Sequence, residues 1–88
     1  MNDKEIEELI EQKFPDQIDD ILLAVGFNDA FVGIVIGAGQ EPKACYDYEK
    51  CIDVLMEEGS TREDAMEHFE FNVIGSYVGD YSPMFLVR

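Results

Sequence analysis

The sequence predicts an α+β fold, with about four helices packed on a small, mainly antiparallel three-stranded sheet. Three observations predict it. Apolar residues recur at helical spacing in four segments. Three short apolar runs stand apart from those segments as strand candidates. The resulting order, α-α-β-β-α-α-β, segregates helices from strands, the mark of α+β rather than of alternating parallel architecture. Eighty-eight residues make a single domain, and 47% hydrophobic content is enough for a core.

The first helix is expected from about Asp3 to Phe14, where Ile6, Leu9, Ile10 and Phe14 form one stripe. Asn2, with Glu5 three residues on, supplies a capping pair. Pro15 disfavours helical geometry at Phe14 and opens a second short helix over about Asp16 to Val25. Ile18, Ile21, Leu22 and Val25 carry its stripe, and Gly26 stops it. Phe31 to Ile36 reads as a central strand covered on both faces, because it is wholly apolar. After a loop at 37–42, Ala44 to Tyr46 is the second strand, antiparallel to the first.

Asp47 caps a third helix, from about Tyr48 to Glu58, whose stripe is Tyr48, Cys51, Ile52, Leu55 and Met56. Gly59 ends it. Ser60 or Thr61 caps the fourth, each with an acid three residues on, Glu63 or Asp64. Ala65, Phe69, Asn72 or Val73, and Tyr77 continue its apolar face. Asp80 to Pro83 is a turn and Met84 to Val87 the last strand.

Charge narrows the function. Six bases against 20 acids leave a net charge of -14. Nucleic acid and anionic lipid both require a basic surface, so neither is expected as a direct ligand. No apolar run approaches the ~18 residues of a membrane span, and the acidic N-terminus is unlike a targeting peptide. A cytoplasmic protein with Cys45 and Cys51 both reduced is the expectation, Cys51 in the core and Cys45 half-buried.

Catalytic signatures are missing. The single histidine, His68, precludes a two-histidine metal site, and Asp64 four residues before it makes only an ion pair or a weak ligand pair. Gly37-x-Gly39 lacks the third glycine and the lysine of phosphate loops, and reads as a turn. There is no G-x-S-x-G. The expectation is a non-enzymatic protein with no cofactor and no metal.

The acids are unevenly placed. Residues 1–30 and 47–70 each hold nine acids and two bases, whereas 31–46 and 71–88 each hold one of each. Glu49, Asp53 and Glu57 share a face of the third helix, Glu63, Glu67 and Glu70 a face of the fourth, and Asp3, Glu7 and Glu11 a face of the first. Like charges so spaced cost ~0.2–0.5 kcal/mol per pair. Two readings stand: a solvated face, or a docking surface for a basic protein partner formed by Glu49, Asp53, Glu57, Glu63, Asp64, Glu67 and Glu70. A duplex mimic on one helix is disfavoured, since one such stripe sets three carboxylates along ~12 Å where DNA sets ~7 phosphates; only two or three stripes side by side approach duplex density.

The stretch YDYEKCIDVLMEEGSTREDAMEHFEFNVIGSYVGDYSP, residues 46–83, resembles a small acidic protein family of bacteriophages. The likeness lies in a helix, a Gly-Ser/Thr break, an acid-rich helix, and then Phe71, Asn72, Gly75, Tyr77, Val78, Gly79 and Asp80. It implies a phage origin and an accessory role, such as inhibition of a host or anti-phage defence protein (a CRISPR or restriction system, for example). It brings no catalytic or binding residues with it. The alternative is a homo-oligomeric accessory protein, a homodimer joined through apolar residues at the C-terminal strand. Phe71 to Asp80 has a structural reading as well, as a helix end that returns the chain to the sheet.

Overall fold

Side-chain caps set the helix starts. A computed structural model describes residues 1–76 and 78–88. Helix α1, Asp3–Lys13, opens with a complete capping box: Glu5 N–H donates to Asn2 Oδ1 at 2.8 Å, and Asn2 N–H to Glu5 Oε1 at 3.1 Å. Helix α2, Tyr48–Glu57, is capped by Asp47, whose Oδ1 accepts from Lys50 N–H at 3.0 Å. Helix α3, Arg62–Phe69, is capped by Thr61 rather than Ser60, its hydroxyl accepting from Asp64 N–H at 3.2 Å. Gly59, at φ +109°, turns the chain between α2 and α3, a conformation that favours glycine.

Strands β1, Phe31–Val35, β2, Lys43–Asp47, and β3, Met84–Leu86, form one sheet in the order β1-β2-β3. β1 runs antiparallel to β2, with Ile34 opposite Ala44 and a register shift between Phe31 and Gly33. β3 runs parallel to β2, with Tyr46 opposite Phe85. Ala44 and Tyr46 face the helices and join Ile6, Ile10, Ile52, Phe69 and others in one core. Phe69 is its hub: its ring meets Phe27 and Tyr48 at 5.5 Å and Phe85 at 4.9 Å, edge to face.

The architecture is α+β, with several departures from expectation. Among the described residues there are three α-helices, not four. Over 16–25 the chain makes only a 3-10 turn at Pro15–Gln17 and then runs irregularly. Ala24 N–H is held by Tyr46 Oη at 2.9 Å and Leu22 N–H by Tyr81 O at 3.3 Å, so tertiary partners take donors that a helix would use. Val25, assigned to the buried stripe, is 94% exposed.

β1 is an edge strand, not the central one; β2 holds the centre, and Ile36 is exposed. The sheet is mixed rather than mainly antiparallel, because the connection from β2 to β3 carries α2 and α3 and returns the chain in the same direction. Finally, α3 passes into a π-helical turn at Glu70–Ile74 instead of continuing regularly. Tyr77, placed on its stripe by the sequence, lies outside the described residues. Cys45 is buried rather than half-buried, and Cys51 is in the core. No helix among the described residues is long and apolar enough to cross a membrane.

Candidate docking surface on the acidic helix

Helix α3 buries Ala65 and Phe69. At 100° per residue, Glu63 and Glu67 then point away from the core. All seven carboxylates expected to dock a partner, Glu49, Asp53, Glu57, Glu63, Asp64, Glu67 and Glu70, are exposed. They are not equivalent. Arg62 Nη2 reaches both oxygens of Glu49 at 2.9 Å, tying the start of α3 to α2 and offsetting that charge. Glu70 accepts a long hydrogen bond, 3.4 Å, from Tyr48 Oη. Burial and the nearby Glu70 carboxylate together push the Tyr48 phenol above its ordinary pKa, so it stays a donor. Glu63, Asp64 and Glu67 have no cationic partner among the described residues.

The structure adds Phe71, which the charge pattern overlooked. It is 78% exposed. Two shallow grooves flank it. One, of about 350 Å³, is lined by Asp64, Glu67, His68, Phe71 and Asn72. The other, of about 530 Å³, is lined by Glu63, Glu67, Glu70, Phe71 and Gly75. Glu67 and Phe71 line both. The arrangement thus gathers Glu63, Asp64, Glu67 and Glu70 around one aromatic ring and leaves Glu49, Asp53 and Glu57 of α2 outside both grooves.

The π-turn positions that ring. Gly75 N–H donates to Glu70 O at 3.0 Å, the i→i−5 bond of a π-turn. A Cβ at Gly75 would lie 2.8 Å from Phe71 O, so the close turn requires glycine there. Asn72 Nδ2 is 3.2 Å from both His68 O and His68 Nδ1, and the Ser76 hydroxyl donates to Val73 O at 2.9 Å. These bonds hold the turn under the ring. Spacing alone contains the signal for Phe71: two residues past Phe69, it falls ~200° around the helix from the core stripe.

Chemically, a π-face ringed by carboxylates accepts a guanidinium or ammonium group, by charge pairing at the rim and by cation–π contact at the ring. Cys51 lies in the core, its thiol pushed up to about 12 by burial first and by Asp47 second; Cys45 is raised for the same reasons. No three His, Cys, Asp or Glu side chains gather as a metal site among the described residues. No protein-family model, curated protein or solved structure matches the chain.

Proposed function

We propose that this is a non-enzymatic binding protein that docks a basic surface of another protein on α3 and its π-turn. The observation that carries the reading is Phe71, a large exposed aromatic set among Glu63, Asp64, Glu67 and Glu70. Among the described residues Phe71 is the one exposed phenylalanine or tyrosine ring, and it stands amid these acids. Aromatic anchors with a charged rim are how protein interfaces concentrate their energy. The acids steer encounter, and Phe71 holds the complex once formed.

The resemblance of residues 46–83 to a phage protein family points to a partner class: a host or defence protein whose own basic surface handles nucleic acid. Covering that surface inhibits it, in the host cytoplasm. The reading needs no cofactor.

The test is affinity capture from bacterial lysate with wild-type protein and two variants, followed by kinetics on the captured basic protein. Phe71→Ala should weaken binding by about 30-fold, as expected of an anchor worth ~2 kcal/mol, mainly through faster dissociation. Glu63→Gln with Glu67→Gln should slow association and flatten its salt dependence. Glu7→Gln with Glu11→Gln, on α1, serves as the control. Equal losses for both acid pairs, with none for Phe71→Ala, would reduce the interaction to unspecific charge attraction.

A further inference from the structure

The fold sorts charge in a way that the acidic face does not explain. All three strands come from, or border, the two neutral blocks of the sequence, 31–46 and 71–88. In a chain of net charge -14, residues 31–40 carry no charged side chain at all. Those residues hold β1, which lies at the edge of the sheet and pairs only with β2. On its other side, residues 32–36 make no backbone or side-chain hydrogen bond to any described residue.

Soluble proteins blunt such an edge with lysine, proline or a charge pointing inward. β1 has none of these. Its one irregularity, between Phe31 and Gly33, leaves Gly33, Ile34 and Val35 in regular register, with Ile36 following. Ile34 is only half-buried, although its cross-strand partner Ala44 is fully buried. Val32 and Ile36 are exposed, at 48% and 74%.

We propose that β1 pairs antiparallel with β1 of a second copy, joining two three-stranded sheets into one of six strands. An antiparallel edge pair is self-complementary about a twofold axis, which is what an isologous dimer requires. Pairing satisfies the unbonded edge groups and covers the open side of Ile34.

Charge selects a second copy over the basic partner proposed above: the edge offers a cation nothing. Two copies, each repelled by the other's acids, meet most favourably where neither carries charge. β3, the opposite edge, suits the role less. It has three residues and is flanked by Pro83 and by Arg88, which pairs with Asp47 at 3.3 Å. Four residues of edge extend ~14 Å. Such a contact is short beside the ~800 Å² per partner of a standard interface, so the dimer is expected to be reversible.

The experiment is sedimentation equilibrium on the full chain, from low micromolar to about 1 mM, beside hydrogen exchange at both ends of that range. Wild type should pass from monomer to dimer, and those amides of residues 33–36 that point away from β2 should gain protection with concentration. Val32→Lys with Ile36→Lys should weaken the dimer about tenfold or more, by setting like charges across the new pair, with circular dichroism unchanged. Both side chains are exposed, so the monomer keeps its core. Val87→Lys, beside β3, should leave the dimer intact. Added salt should tighten this dimer, by screening the mutual repulsion, while loosening the complex on α3, so the two proposals fail separately. A monomer throughout the range, a dimer insensitive to the β1 lysines, or one broken by Val87→Lys would overturn the assignment, and concentration-independent exchange at 33–36 would overturn it without any variant.

Discussion

Phe69 and Phe71 stand two positions apart and have opposite fates. Phe69 is fully buried against three aromatic rings, whereas Phe71 is largely exposed. Phe69→Ala should cost ~3–5 kcal/mol, a large share of the stability of so small a domain. Phe71→Ala should stay within ~0.5 kcal/mol of wild type. Urea denaturation of the two variants measures the difference directly. Cys51 sets a second prediction. Its unfolded thiol titrates near 9.0 and its folded thiol near 12. Between those values the unfolded chain has lost a proton that the native protein retains. Stability is therefore intact below pH 9 and falls above it, by up to ~1.4 kcal/mol per pH unit from this group alone, until the folded thiol ionises. Tyr46, raised chiefly by burial, steepens the loss above its ordinary pKa. Melting Cys51→Ala beside wild type from pH 8 upward should show a shallower decline in the variant. The same burial leaves Cys51 unreactive toward thiol reagents until the protein unfolds.

Caps and stripes are local, and they were legible at the level of the element. Asn2 with Glu5, Asp47 with Lys50, and Thr61 with Asp64 all form as their spacing dictates. Asp47 does more than the spacing indicates: it is buried, and its second oxygen meets Arg88 from beyond β3. Asp47→Ala should therefore cost ~1–2 kcal/mol, at the upper end for a cap, and Asp47→Asn less, because the amide retains the cap and loses only the ion pair. Chemical denaturation of both variants checks the order. The segment 16–25 is not helical despite its spacing, because that spacing competes with partners that only the fold supplies, here Tyr46 Oη and Tyr81 O. That β1 lies at the edge rather than the centre is not legible for a related reason. An apolar run fits a buried central strand and an uncovered edge equally well, and strand order is non-local. The acidic face was legible as composition. The ring at its centre was legible only as an outward position two residues past Phe69; its setting comes from the π-turn that Gly75 permits. Gly75→Ala, colliding with Phe71 O, should disturb that turn and shift the amide resonances of residues 70–75 while α1 stays unmoved.

For the whole molecule, charge opposes compactness. Two ion pairs form among the described residues, and one of them, Arg62–Glu49, is half-exposed on both sides. Pairs of that kind add little stability, so what dominates is the mutual repulsion of the remaining acids. Raising the salt should therefore raise the melting temperature of the free monomer, the reverse of a fold held by surface ion pairs. Replacing Asp53 and Glu57 by Gln, outside both grooves, should move it in the same direction, by ~0.2–0.5 kcal/mol for the like-charge pair removed. Differential scanning calorimetry at two salt concentrations checks both.

The parallel pairing of β2 with β3 also dictates an order of events in time. Cys45 pairs with Met84 and Tyr46 with Phe85 only after α2 and α3 have crossed between them. The helices and the β1–β2 hairpin are local and can form early, at little cost in loop closure. Phe85 arrives last, yet its ring lies 5.9 Å from Tyr46 and 4.9 Å from the hub Phe69. On a ribosome the chain therefore carries an unfinished core, with the uncharged β1 edge in the open, until β3 has emerged. A chain cut after Pro83 should retain helical circular dichroism, lose cooperative melting and aggregate through β1. Restoring Met84–Arg88 as a separate peptide should bring cooperativity back, in proportion to peptide concentration.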